Sequence, residues 1–316
     1  MSDVGLIRLG TRGSKLALRQ ADWATNAVQS HFPGLRVERV VIRVESDRQP
    51  DRSIPEIGER GIFTRDIESS LLEGRIDIAV HSLKDLPSED VPGLSVVATS
   101  PREDPRDALL TLDGRALEDL RPGAVVGTSS LRRCALVLES RPDLSVRPIR
   151  GNIDTRLRKL YDHEYDAVVM AAAALNRLHE AVPAQLLDSE HWIPAVAQGI
   201  IGIQARSEDR GIGGMLARIS DPEAFLCARI ERLFLQSLGG GCSVPVGGLA
   251  TLRSERVTLR AFVGSPDGER TLRAERTVSV VEADRLGGSV AEALREQGAE
   301  SILAKLRASV PIVRGE

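Results

Sequence analysis

The chain has 316 residues, of which 42% are apolar and 28% charged, and a formal net charge of −3. That is long enough for two or three domains with cores of their own, ordinary for a globular protein, and without the charge excess that draws a chain to nucleic acid or an anionic membrane. No apolar run approaches membrane-spanning length, and the start, Met1 to Gly5, lacks the basic and apolar regions of an export signal.

Leu6–Leu9 reads as a first strand, Gly10–Ser14 as a loop, and Lys15–His31 as a helix whose Leu16, Ala17, Ala21, Ala24 and Val28 share a face. Val37–Val44 is a second strand, and the apolar-poor stretch Glu45–Gly61 a long loop. Ile62–Leu72 is helical and Ile76–Val80 a buried strand, an alternation that predicts a mainly parallel sheet covered by helices. Around Pro101–Pro105 the chain crosses over and the pattern restarts: strands at Val125–Gly127, Ser145–Ile149 and Ala167–Ala171, helices at Leu131–Ser140 and Thr155–Tyr161. Ile200–Ala205 is a strand returning to the first sheet. Asp221-Pro222 opens a helix that runs to about Leu238. Beyond it, Val257–Val263 and Thr271–Val278 flank Pro266-Asp267-Gly268 as a hairpin, followed by a helix over Ala283–Gln297. The predicted fold is α/β: a first lobe from 1–100 and 200–219, a second from 101–199, and a smaller α+β domain over 220–316.

The C-terminal domain contains Gly239-Gly240-Gly241-Cys242-Ser243-Val244-Pro245-Val246-Gly247, a thiol on a backbone stripped of Cβ atoms that a bulky group can approach. Cys242 reads as a nucleophile or attachment point, whereas Cys134 and Cys227 sit in apolar helical surroundings. Three cysteines, odd in number and far apart, do not form a disulfide framework, and a reducing cytoplasm fits them. Arginines gather at strand-to-helix junctions, where open α/β sheets bind ligands: Arg12 beside Ser14, Arg132 and Arg133 after Ser129, Arg150, Arg156 and Arg177. Guanidinium forks and helix N-termini there imply a polyanionic ligand. Neither a phosphate loop nor a dinucleotide fingerprint is present, so a polycarboxylate is favoured over a nucleotide. Only four lysines occur; Lys84 precedes Asp85 at the end of the buried strand. An acid in a cationic cleft can oppose positive charge developing in a reaction, an effect of roughly 4 kcal/mol at ~4 Å. His31, His81, His163, His179 and His191 are not at metal-ligand spacings, and no metal is expected.

Taken together, Thr11–Leu18, Asp77–Asp85, Arg102–Ala108, Gly127–Arg133, Arg150–Arg156, Pro194–Gly199 and Gly240-Gly241-Cys242 closely resemble the porphobilinogen deaminase (hydroxymethylbilane synthase) family over nearly the whole chain. The resemblance implies two lobes like periplasmic binding proteins plus a third domain, and a transferase of tetrapyrrole (haem, sirohaem or chlorophyll) biosynthesis. Such an enzyme joins four porphobilinogen molecules head to tail, with loss of ammonia, on a dipyrromethane cofactor held by a thioether. That thioether would form at Cys242. Asp85 would be catalytic and stabilise a cationic azafulvene. Lys84, Asp85, Ser129, Arg132, Arg133 and Arg150 would hold the cofactor, and Arg12, Ser14, Arg150, Arg156 and Arg177 the substrate. A monomer in the cytoplasm is implied, with no nucleic-acid or membrane partner. The chain departs from the family at Val44-Glu45-Ser46-Asp47, at Arg60 in place of a lysine, and at Val196-Ala197-Gln198-Gly199 in place of V-G-Q-G. Two other readings suit parts of the sequence: a solute-binding or regulatory effector fold, which leaves Cys242 unexplained, and a cysteine hydrolase pairing Cys242 with His81.

Overall fold

The computed structural model describes residues 5–43, 64–239 and 244–309. The expected loop at 45–61 and the Gly240–Ser243 apex with Cys242 lie outside the described residues. The first sheet holds β1 (Leu6–Thr11), β2 (Arg36–Val41), β3 (Ile78–Ser82), β4 (Leu94–Thr99) and β10 (Ile201–Arg206), in the order β2-β1-β3-β10-β4. The second holds β5 (Asp107–Leu110), β6 (Val125–Gly127), β7 (Ser145–Arg147), β8 (Ala167–Ala171) and β9 (Ala184–Leu186), in the order β7-β6-β8-β5-β9. In each sheet one strand, β10 or β5, runs against the other four, because it enters between neighbours after the chain has crossed from the other sheet. The predicted return of Ile200–Ala205 to the first sheet is this strand β10.

Helix α1 (Lys15–His31) is capped by Ser14, whose side chain accepts from the Ala17 N–H at 3.3 Å, and it buries Ala17, Ala21, Ala24 and Val28 against the first sheet. Helix α2 (Arg65–Leu72) covers the opposite face through Ile67 and Leu71. On the second sheet, α3 (Leu131–Ser140) packs Ala135, Leu136 and Val137 on one side. Helix α4 (Ile153–Tyr161) and α5 (Ala172–Leu178) pack Leu157, Leu160, Ala172 and Leu175 on the other. Asn152 caps α4 by accepting from the Thr155 N–H at 3.0 Å.

After α6 (Arg210–Ala217), Asp221 caps α7 (Pro222–Ser237) with Pro222 in its first turn. Strands β11 (Val246–Arg253), β12 (Arg256–Gly264) and β13 (Thr271–Ser279) form an antiparallel meander backed by α8 (Ala283–Glu296), with α9 (Ala299–Ser309) closing the chain. The predicted hairpin is β12–β13, its turn carrying Gly268 at φ +75°. Strand β11 escaped the sequence reading because two glycines follow its first residue, Val246. A Cβ on Gly247 would lie 2.7 Å from the Ile193 carbonyl oxygen, and one on Gly248 3.2 Å from Phe234, so close packing excludes the residues that usually mark a strand. Strand β4, the short β5 and β9, and helices α6 and α9 were also not predicted.

The core of the third domain does not stop at its own elements. Phe234, Ile230 and Leu286 pack in one cluster with Leu83, Leu86, Val196, Ala197 and Ile200. The turn that follows β3 and the second crossing therefore rest on the same apolar body. Buried Glu231 of α7 reinforces the junction: it pairs with Arg102 at 2.6 Å and accepts from the Ala197 N–H at 2.6 Å and the Ala250 N–H at 2.7 Å. At the crossing, Ala197 has φ +60° and Gly199 φ +89°. A Cβ on Gly199 would meet the Glu103 carbonyl oxygen at 2.3 Å, which explains glycine there. Ala197 adopts the left-handed conformation with a Cβ, held by the Glu231 bond to its N–H.

Candidate active site

Strand β3 ends in a single 3-10 turn, Leu83–Asp85. Leu83 points into the core with 1% exposure, Lys84 is half-buried and Asp85 is exposed. The three side chains of one tight turn thus face three ways, anchoring the turn while presenting its acid. Burial pushes the Lys84 ammonium down to about 8, Arg133 adding repulsion while Asp85 and Asp107 favour the charge. Arg156, in the first turn of α4, is likewise pushed down to about 10 by burial and by Arg133, with Asp85 the acid acting on it. Its Nε donates to the Gly151 carbonyl at 2.9 Å, across a turn in which Gly151 has φ +102° and a Cβ would strike Thr155. Lys84, Asp85, Arg133 and Arg156, from both lobes, belong to one charge cluster. An ion pair between Lys15 and Asp154, 3.0 Å long, links the first turns of α1 and α4, so the N-termini of these two helices lie close together.

The other expected residues take varied settings. Arg12 is half-buried at the end of β1, near enough to depress the His81 pKa. Ser14 caps α1, and Ser129 donates to the Ile149 carbonyl at 2.8 Å. Arg150 is half-buried in the loop before α4. Arg177 donates to the Gly199 carbonyl at 2.6 Å, and burial lowers its pKa although Glu103 opposes this. Arg177 therefore stands at the second crossing, beside the residue that follows Gln198.

Arg132 and Arg133 depart most from expectation. Both are buried, and both pair with Asp107 of β5, at 2.8 Å and 2.7 Å. Arg132 also donates to the Ile193 carbonyl at 2.9 Å, and all three guanidinium nitrogens of Arg133 donate to Asp107 or the Val169 carbonyl. Arg133 is thus engaged from inside the protein through all three nitrogens and Arg132 through Nη1, and together with Asp107 they form a buried charged layer beneath Lys84. Burial opposes ionisation of Asp107, but Arg132 and Arg133 outweigh it and hold the carboxyl well below the usual range. Trp192 Nε1 and Gln198 Nε2 complete its shell at 2.9 Å and 2.8 Å. Sequence reasoning passed over Asp107; the available signal was an acid opening the apolar strand Asp107-Ala108-Leu109-Leu110.

His81 is 5% exposed, and burial pushes its pKa down to about 4, which keeps the imidazole neutral and only weakly basic near neutral pH. Burial pushes the Cys134 thiol up to about 11 and the Cys227 thiol up to about 12, which keeps both protonated near neutral pH. Among the described residues no group of His, Cys, Asp and Glu could hold a metal ion, and no helix is long and apolar enough to cross a membrane.

Comparison with known proteins places the chain in a family. Residues 7–213 match the family model described as porphobilinogen deaminase, dipyromethane cofactor binding domain, and residues 225–296 match the porphobilinogen deaminase C-terminal domain. The chain is 43% identical over 302 residues to the porphobilinogen deaminase of Syntrophomonas wolfei, covering 95% of this chain and 99% of the relative. It is 45% identical over 299 residues to that of Roseiflexus castenholzii, covering 94% and 98%. Among solved structures, the Bordetella pertussis BvgS periplasmic VFT2 domain aligns with 69% of this chain and 88% of its own, at 15% identity and a TM-score of 0.41. With both family domains matched in order and the relatives aligned almost end to end, the chain belongs to the porphobilinogen deaminase family.

Proposed function

We propose that the chain polymerises four porphobilinogen molecules into hydroxymethylbilane on a covalent dipyrromethane cofactor, with the residues around Lys84 and Asp85 as its active site. The activity is that of the family to which it belongs. The observation that carries the site is the gathering of half-buried cations, Lys84 and Arg156, with buried Arg133 around the exposed Asp85. Lys84, Arg156 and Arg177 all have pKa values lowered by burial that nearby acids do not offset. A carboxylate-rich guest would supply the missing charge, so the donor set fits a dipyrromethane bearing acetate and propionate arms. When bound, that group supplies the pyrrole carbon from which the chain grows.

At each addition the C–N bond of the porphobilinogen aminomethyl arm breaks and ammonia leaves. With the cofactor bound, a C–C bond would then join the methylene to its free pyrrole α-carbon, the proton on that carbon leaving. Asp85 faces the pyrrole N–H groups and offsets the positive charge left after ammonia departs; its exposure makes it accessible to the guest. Opposing charges at ~4 Å contribute roughly 4 kcal/mol when realised in the transition state. Lys84, Ser129 and Arg150 hold cofactor carboxylates; Arg12, Ser14, Arg150, Arg156 and Arg177 hold those of the substrate. Arg132 and Arg133 act from beneath, keeping the floor positive because the one Asp107 carboxylate offsets only part of their charge. The segments 1–100 with 200–219, 101–199 and 220–316 serve as the two lobes and the third domain, and the enzyme works as a monomer in the cytoplasm.

Cys242 is the attachment point in this reading, supported by the two described thiols being held protonated near neutral pH. Purified protein is expected to be heavier than its sequence by two linked pyrrole units, with the adduct on the peptide containing Gly241-Cys242-Ser243. Cys242→Ser should lose adduct and activity, whereas Cys134→Ser and Cys227→Ser keep both. Fully active protein without the adduct, or an adduct on another cysteine, would overturn it.

A further inference from the structure

We propose that Gln198 is a positioning residue for the reaction, its side-chain amide holding the Lys84 ammonium in place from the junction between the lobes. Gln198 is fully buried, so every polar atom of its amide needs a partner within the protein. Its Nε2 donates to the Pro105 carbonyl and to Asp107 Oδ1, each at 2.8 Å, and its Oε1 accepts from Lys84 Nζ at 3.1 Å. This arrangement fixes which way the amide points. A flipped amide would set its oxygen against a carboxylate and a carbonyl, and its N–H groups against an ammonium.

The three partners come from separate parts of the chain: Lys84 from the turn after β3, Pro105 from the first crossing, and Asp107 from the second sheet. Gln198 itself lies on the second crossing. Its amide therefore ties Lys84, and with it the Asp85 turn, to the two segments that join the lobes. Few side chains can do this. Glutamate would set a carboxylate against Asp107, and methionine would fill the volume without any of the bonds. The charged groups acting on Lys84 are Arg133 and Arg132, which repel it, and Asp85 and Asp107, which attract it. Gln198 supplies a neutral acceptor among them, allowing Lys84 to stay charged without closing onto Asp85.

The proposal rests on the placement of Lys84 in the active site, and the test separates the two ideas. With only four lysines in the chain, competitive amine labelling followed by mass spectrometry gives the ionisation midpoint of Lys84 in the cofactor-loaded protein. Gln198→Met is expected to lower that midpoint by about one unit, since the ammonium loses a charge-assisted bond. Gln198→Asn, which withdraws the amide by one methylene, should move it the same way and serves if the methionine variant does not fold. In elongation assays Gln198→Met should lower kcat/KM about tenfold alone, but less than about twofold further in a Lys84→Met background, because both changes remove one interaction. A midpoint unchanged in the folded variants, or losses that multiply in the double variant, overturns the positioning role. Full activity of Lys84→Met would instead refute the active-site assignment of Lys84, while the labelling still reads its contact with Gln198.

Discussion

Asp107→Asn is the sharpest test of how the floor of the site is built. Asp107 is fully buried, as are Arg132 and Arg133 at 2% and 7% exposure, and its carboxylate is the counter-ion of both. Asparagine keeps the volume but removes the charge, leaving two guanidinium groups in the core without their acid. Breaking a buried pair in this way costs about 3–5 kcal/mol, because the remaining charge stays desolvated. At about 4–8 °C per kcal/mol for a lobe of roughly 100 residues, that corresponds to a fall of more than about 10 °C in thermal midpoint. Trp192 reports the event directly, since its indole N–H donates to Asp107 at 2.9 Å. The chain has two tryptophans, so a Trp23→Phe background isolates the Trp192 emission. The Asp107 pKa is depressed in the folded state, so its stabilisation is complete above the ordinary carboxylate value of about 4 and is lost as pH falls below it. The gap between wild type and Asp107→Asn should accordingly be full at pH 7 and narrow only in acid below about pH 4. The exposed pair Arg75–Glu73 is the control: Glu73→Gln removes a partner of a guanidinium that is 58% exposed, and the loss of that ion pair contributes less than ~1 kcal/mol. A loss below ~1 kcal/mol for Asp107→Asn at pH 7 would refute the account of Arg132 and Arg133 as buried, acid-compensated cations.

Three further outcomes bear on the active site. Asp85→Ala should abolish turnover while leaving the unfolding midpoint unchanged, because the side chain is exposed; normal tetrapyrrole output from the folded variant would remove its role. Arg150→Leu and Arg156→Leu should impair cofactor retention or elongation more than folding, and Arg156→Lys should restore only part of the loss, since a point charge cannot reproduce a two-pronged contact; normal elongation by both leucine variants would place the carboxylates elsewhere. Lys84 is charged below its lowered pKa of about 8 and neutral above it, so kcat/KM for porphobilinogen should fall as pH rises through that region. Lys84→Arg should flatten this alkaline limb, and a limb that persists in the arginine variant would trace it to another group.

Much of the local structure was legible in the sequence because local chemistry sets it. The alanine-lined face of Lys15–His31, the proline after Asp221 and the glycine in the β12–β13 turn each act over a few residues. The junction arginines and the Lys84-Asp85 turn were also visible, since strand ends and motif spacing lie along the chain. The roles of Arg132 and Arg133 were not. Their partner Asp107 lies in an earlier strand, and the sheet order β7-β6-β8-β5-β9 is what brings that strand beside β8. Strand order is a property of the folded sheet that no window of sequence carries. The same holds for Gln198, whose three bonds reach residues 91 to 114 positions away, and for Glu231, which meets Arg102 only when the third domain packs on the crossing. The sequence by itself determined which chemical groups are present and on which elements they ride. Only the tertiary structure decided which cations are neutralised within the protein and which are left for a ligand, because burial and charge pairing depend on neighbours that the chain brings together last.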